Sequence, residues 1–365
     1  MIEFKSEFIF TVCQIGAEPA LKKEIAKNHP ELRFAFSRPG YVTFKSLNGM
    51  IPFDFTLNSV FARAYGISLG TLGEGELGRV LELAHTLKDQ DPARKIHLHA
   101  WERDLHLSGE EPLGFIPGAL LGKVESQLRD QAQDGLLLHK NQLPTEGDWV
   151  IQLIALDPGK FAFGALTYSA AHSPHPGGRP PLLLPLQAPS RAYLKLENSL
   201  IWSNAPIRKG DIAVEIGSAP GGASYALLQR GLKVIGIDPA AMDPIVMSHP
   251  EFKHVQRPVN QILREELPDS VQWIVLDMNV EPNLSLYAVD RLAARMKDSL
   301  HGMLLTVKLN QWKFADEIPY FIDHVKAMGM TRVKAAQLAY HRQEILIYGL
   351  TRRGVREQSM SRTRL

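Results

Sequence analysis

The chain has 365 residues, 45% of them hydrophobic and 22% charged, with a formal net charge of +2. That length supports two or three domains with real cores, and the composition is that of a globular protein, neither disordered nor fibrous. No apolar run approaches the ~18 residues of a membrane span, no signal-peptide pattern is read after Met1, and the single cysteine, Cys13, leaves no intrachain disulfide and no cysteine-built metal site, so a cytoplasmic protein is expected.

Along the chain, Glu7 to Cys13 reads as a strand and Glu18 to Asn28 as a helix. Gly40 to Phe44 is a further strand, Leu77 to Leu87 a helix and Lys95 to Ala100 a strand. Trp149 to Ala155 and Phe161 to Tyr168 flank an Asp157-Pro-Gly turn as two more strands. His172 to Pro181 holds four prolines and two glycines, which suits neither helix nor strand, so a linker is placed there. Beyond it strands are expected at 213–217, 234–238, 254–256, 272–277, 303–309, 332–338 and 344–350, with helices at 223–230, 284–296 and 316–328. Seven strands alternating with helices predict a mostly parallel α/β sheet. Only Ala339 to Gln343 joins the last two strands, too short for a parallel crossover, so they should pair antiparallel.

Charge is uneven. Residues 1–180 carry 18 Lys/Arg against 21 Asp/Glu, and the remainder 23 against 18. Arg352, Arg353, Arg356, Arg362 and Arg364 crowd the end. A phosphate-rich partner would suit them, and so would a solvated basic tail, so charge does not settle the partner.

The stretch Val214-Glu-Ile-Gly217-Ser218-Ala219-Pro220-Gly221-Gly222 is the most informative. An apolar strand ends in a loop of small residues and a helix follows at once, the arrangement that presents backbone to a cofactor at the carboxyl edge of a sheet. A dinucleotide fingerprint would read G-x-G-x-x-G, which this spacing does not match. About twenty residues on, Val234 to Asp238 is a buried strand ending in a carboxylate suited to a ribose diol. Loop and acid together favour S-adenosylmethionine over a nucleotide.

Four ionisable residues should gather at that edge: Lys195 in the segment entering the domain, Asp277 ending the fourth strand, Lys308 near the end of the fifth, and Glu344 opening the last. Strands four and five are both expected to adjoin the loop-bearing strand. Taken alone, Lys195 is an ordinary surface lysine and Asp277 an ordinary strand end. A lysine inside Leu304-Leu-Thr-Val-Lys308-Leu is harder to dismiss, because a lone buried lysine is costly. As a base it must be neutral, and burial, a second lysine and a sulfonium would all favour that form, against the restraint of the two acids. Trp273 and Trp312 read as packing residues, and His341 as a solvated turn histidine. The His97/His99 and His172/His175 pairs have no third ligand near in sequence, so no metal is expected.

The order Lys195–Asp277–Lys308–Glu344 resembles the tetrad of the FtsJ-like ribose 2′-O-methyltransferases. The stretches that carry the likeness are Ala188 to Glu197, Ala219-Pro-Gly-Gly222, Asp277 to Pro282, Lys308-Leu309 and Gln337 to Glu344. They are most similar to the branch that methylates a cytidine ribose in large-subunit ribosomal RNA. A weaker likeness at Cys13 to Glu18 and Gly40 to Val42 points to that branch's ferredoxin-like and THUMP RNA-binding region.

The resemblance implies a Rossmann-like methyltransferase domain over 189–352, with Lys308 as base and Lys195, Asp277 and Glu344 completing the tetrad. Ser190, Gly217, Ser218, Ala219, Pro220, Gly221, Gly222, Asp238, Asn260 and Asp277 fall on cofactor positions. Ala219 replaces the usual cysteine, a harmless change where backbone does the work. Asn260 stands where an aspartate would meet the adenine amino group, and its amide oxygen can still accept that bond. An N-terminal ferredoxin-like subdomain (1–90), a THUMP-like subdomain (91–171), a linker (172–188) and a basic tail (353–365) complete the expected organisation. Rival readings are another RNA target, a non-catalytic RNA-binding or ribosome-assembly factor and, disfavoured by the glycine spacing, a nicotinamide oxidoreductase.

Overall fold

A computed structural model describes residues 5–110, 119–132, 136–137 and 142–362. The chain forms two compact units, residues 1–180 and 181–365, whose boundary falls inside the proline-rich stretch.

In the first unit the elements are β1 (Phe8–Val12), α1 (Glu18–Asn28), β2 (Leu32–Arg38), β3 (Tyr41–Ser46), β4 (Ala64–Gly73), α2 (Gly78–Gln90), β5 (Ile96–Glu102), α3 (Ala119–Gln131), β6 (Trp149–Asp157) and β7 (Lys160–Thr167). The seven strands make one mixed sheet, in the order β2-β3-β1-β4-β7-β6-β5. Alternation in β5, β6 and β7 buries Leu98, Ile151, Leu153 and Phe163 against Val80, Leu83 and Leu87 of α2. β4 carries three glycines and is not among the strands expected from the sequence. At Gly66 a Cβ would lie 1.9 Å from Gln152 Oε1, so the glycine that hides the strand is what lets it pack.

The second unit contains α4 (Ala192–Ser203), β8 (Ile212–Ile216), α5 (Gly222–Gln229), β9 (Lys233–Ile237), α6 (Pro244–Met247), β10 (Phe252–Val255), β11 (Trp273–Leu276), α7 (Pro282–Met296), β12 (Gly302–Lys308), α8 (Ile318–Ala327), β13 (Arg332–Ala336), β14 (Glu344–Leu350) and α9 (Arg352–Arg362). Its sheet runs β10-β9-β8-β11-β12-β14-β13. The first five are parallel and β14 inserts antiparallel between β12 and β13, as the five-residue gap predicts. One expectation needs correcting. Of strands four and five only β11 adjoins β8, while β12 lies one strand farther out, between β11 and β14. Val214 and Ile216 of β8, and Ile274 and Leu276 of β11, are buried to within 1% exposure, as expected where both faces of a parallel sheet are covered.

The described part of the expected basic tail is not free in solvent. Residues 352–362 form helix α9, and Gly354 sits so near the sheet that a Cβ would meet the His301 carbonyl at 2.0 Å. Gln358 is buried and donates from Nε2 to the Asn204 carbonyl at 2.7 Å. Arg364 lies outside the described residues.

Candidate active site

The carboxyl ends of β8, β9, β11 and β12 define one edge of the second sheet, and the antiparallel β14 begins there. Lys308 is the last residue of β12 and Glu344 the first of β14, and the register sets them directly opposite each other. Directly opposed residues on one face are close neighbours, so strand pairing alone delivers this contact. Asp277 follows β11 at once, and its amide extends the parallel ladder by donating to the Ile216 carbonyl at 3.0 Å. Lys195 comes from α4, whose Leu196 and Leu200 pack with Ala226 and Leu227 of α5.

All four expected residues meet. Lys308 Nζ donates to Asp277 Oδ1 at 2.7 Å and to Glu344 Oε2. Lys195 Nζ lies 3.3 Å from Asp277 Oδ2 and 2.8 Å from Glu344 Oε1. Each lysine thus bridges the same two acids. The side chains are 13% exposed at Lys308, 14% at Asp277, 19% at Lys195 and 5% at Glu344. Two cations and two anions in so dry a place satisfy the requirement that buried charge be paired.

The charge state of Lys308 departs from the expectation of a neutral amine. Burial pulls its pKa down, but the carboxylates of Asp277 and Glu344 outweigh burial and hold it above the ordinary lysine value. The protein without ligands therefore keeps Lys308 protonated. Burial would raise the Glu344 carboxyl, yet His341, Lys195 and Lys308 together hold it low.

His341 corrects a second expectation. It is fully buried, not a solvated turn residue. Its Nδ1 accepts the Leu338 amide at 3.2 Å, and burial pushes its pKa down to about 4. With Gln337, whose Nε2 donates to the Arg342 carbonyl at 2.8 Å, it shapes the turn that delivers Glu344.

The small-residue loop lies beside this cluster. Gly217 has φ +80°, and a Cβ there would meet the Asp277 carbonyl at 2.7 Å. Gly221 has φ +119°, and on Gly222 a Cβ would collide with Ser190 Oγ at 2.3 Å. These glycines let Ser190 and Asp277 close on the loop, so close packing of protein on protein is what demands them. Asp238, at the end of β9, accepts the Ala219 amide at 3.1 Å and the Ala240 amide at 2.8 Å, fixing the loop's course. Ser218 is buried, its Oγ 3.4 Å from Met242 Sδ, and Pro220 is exposed beside it. Asn260 is exposed in a short turn beyond β10, and its carbonyl accepts from Arg291 Nη1 at 3.5 Å.

One acid escaped the sequence reading. Glu215 on β8 is 1% exposed, and burial above all pushes its pKa up to about 8, although Ser224 Oγ donates to it at 2.5 Å. Its signal was available as a charged residue inside the apolar run Ala213-Val-Glu-Ile216.

Residues 188–352 match the FtsJ-like methyltransferase family. The ribosomal RNA large subunit methyltransferase M of Halorhodospira halophila is 32% identical over 348 residues, covering 92% of this chain and 94% of that protein. The enzymes of the same name from Xylella fastidiosa (31% over 191 residues) and Sodalis glossinidius (29% over 210 residues) are matched over 53% and 56% of their own length, so here the chain spans about half of each relative. The near full-length match to the Halorhodospira protein, with the FtsJ-like domain in the C-terminal unit, makes this chain a member of the ribosomal RNA large subunit methyltransferase M family.

Proposed function

We propose that this chain methylates a ribose 2′-hydroxyl in large-subunit ribosomal RNA, at a cytidine, using S-adenosylmethionine as methyl donor, and that it does so in the cytoplasm. The observation that carries the reading is the closed Lys195–Asp277–Lys308–Glu344 cluster beside the Gly217–Gly222 loop. The residues present fit the cofactor. A carboxylate ends β9 where a ribose diol would lie, its remaining lone pairs free to accept hydroxyls, and Ser190 and Asp277 border the loop on its other side.

S-adenosylmethionine, when bound, supplies an electrophilic methyl group on a sulfonium centre. The chain's own task is to handle the proton of a poorly acidic alcohol. As the methyl group leaves the sulfonium sulfur for the ribose oxygen, Lys308 Nζ would accept the 2′-hydroxyl proton. To do so it must first lose the proton that Asp277 and Glu344 hold on it. A further positive charge brought beside Lys308 and Lys195 favours that loss. Asp277 and Glu344 then aim Nζ, since both lysines hang from the same two carboxylates. The N-terminal unit supplies RNA affinity, because ribose chemistry is alike at every nucleotide and discrimination must come from shape and unpaired bases.

The test is to map ribose methylations in RNA from cells with and without the gene. One large-subunit methylation should vanish, return with the parent gene and stay absent with Lys308→Ala. An unchanged methylation map in the deleted strain would overturn the reading.

A further inference from the structure

β2 is one of the two outer strands of the first unit's sheet, and four of its seven residues are exposed. Two of them are phenylalanines, Phe34 at 51% and Phe36 at 47% exposure. A bulge at Ala35 separates them, so Phe34 stands opposite Phe44 but Phe36 opposite Thr43, and the rings project to different sides of the edge. Phe8 of β1, also exposed, lies opposite Lys45 of β3, which in turn lies opposite Arg33 of β2.

Each of the three rings carries a cation. Lys22 Nζ sits 4.2 Å from the Phe34 centroid, the Arg38 guanidinium 5.7 Å from that of Phe36, and Lys45 Nζ 5.7 Å from that of Phe8. Lys45 and Arg38 also pair with Glu7 and Asp157, whereas Lys22 reaches a neutral partner, Ser37 Oγ, at 2.7 Å. The segment that builds this edge, residues 1–50, has seven Lys/Arg against five Asp/Glu, while residues 51–180 have eleven against sixteen. Positive charge in an acidic unit is therefore gathered here.

Cations on an edge strand are a common device against pairing with another strand. That device gives no reason to expose the rings. Aromatic faces with cations beside them are what a single-stranded nucleic acid uses, its bases stacking on the rings and its phosphates meeting the charges. We infer that the β2 edge of the N-terminal unit is where this protein holds an unpaired stretch of RNA. The inference rests on the RNA-directed function above and adds the place of contact. A base arriving on Phe34 or Phe36 displaces the overlying ammonium or guanidinium toward the phosphate.

The experiment uses the full-length chain and a short, labelled, mixed-sequence single-stranded RNA, with affinity read by fluorescence anisotropy at several salt concentrations. Phe34→Ala/Phe36→Ala should weaken binding about tenfold or more at fixed salt, since each base–aromatic stack contributes substantially. Lys22→Gln/Arg33→Gln should flatten the dependence of log K on log salt by roughly 0.7 per cation removed. Both variants should keep the parent's S-adenosylmethionine affinity and melt within a few degrees of it, because Arg33 and the two rings are exposed, half-buried Lys22 gives up only its hydrogen bond to Ser37 and its contact with Phe34, and the cofactor loop lies in the other unit. If the parent binds RNA and both variants match it, this edge is not the site, although the functional reading stands. If the parent neither binds nor methylates RNA, the functional reading itself falls. A parent dimer that the phenylalanine substitutions disperse would assign the edge to a second copy of the chain and overturn the inference.

Discussion

The charge on Lys308 makes the pH dependence of the reaction a sharp test. With its pKa held above the ordinary lysine value, its neutral fraction near neutral pH is below roughly 10⁻³. kcat/KM reports the protonation of the free enzyme, so it should climb about tenfold per pH unit from about 6.5 to 9 with no plateau. Glu344→Gln removes one of the two carboxylates that hold the proton, and loss of an opposite charge at this range lowers a pKa by ~1–3 units, or ~1.36 kcal/mol per unit. The bend in the variant's profile should therefore lie ~1–3 units below the parent's, and profiles carried up to about pH 10.5 should show it in the variant first, whatever happens to its maximal rate. The assay is transfer of labelled methyl from S-adenosylmethionine to the mapped RNA across that pH range. Hydroxide alone could mimic the slope, so Lys308→Ala is the control, and it should fall far below the parent at every pH. A flat parent profile, or a bend that stays put in Glu344→Gln, would refute Lys308 as a base restrained by these acids.

At neutral pH, Lys308→Ala should lower turnover by ~10²–10⁴, while calorimetry finds S-adenosylmethionine affinity within about threefold of the parent. Activity near the parent's would move the base elsewhere, with Lys195 the next candidate. Asn260→Asp should tighten cofactor binding a few-fold, as a charged acceptor strengthens a hydrogen bond by about twofold, and an unchanged constant would mean the adenine pocket lies away from this turn. Glu215 has a folded pKa near 8, above its unfolded value, so the folded state binds the extra proton and this group's contribution to stability is lost as pH rises from about 4.5 to 8. Glu215→Gln should thus raise the melting temperature by several degrees at about pH 8.5 and change it little near pH 5; equal effects at both would contradict the raised pKa.

Much of the second unit was legible because its central strands are buried on both faces and read as continuous apolar runs, Val234 to Ile237 and Trp273 to Leu276 among them. The short gap before Glu344 then set its direction. The elements that escaped notice did so for physical reasons. β2 is an edge strand that faces solvent along most of its length, β4 is interrupted by glycines needed for close packing, and α9 is so rich in charge that its buried side rests on Gly354, Val355 and Gln358. Residue order also identified the tetrad without its electrostatics. Whether two acids or burial governs Lys308 depends on distances of about 3 Å, which no spacing in the chain encodes.

Those distances are in turn a consequence of register. Side chains alternate with period two, so a one-residue slip of β14 against β12 would turn Glu344 to the opposite face and set Lys308 opposite Ile345. A slip would part Glu344 from both lysines and leave buried charge unpaired, which is costly, although the intact set adds little net stability of its own. The apolar core resists it as well. Leu304 of β12 and Leu346, Tyr348 and Leu350 of β14 all sit in one cluster with Trp273, and Gly302 is so tightly placed that a Cβ would meet the Gly349 carbonyl at 2.4 Å. Slipping the pair would drive these side chains out of the core and break a seven-residue ladder. The geometry proposed for proton transfer is thus held by packing at the far end of the same two strands, where no residue has any chemistry of its own.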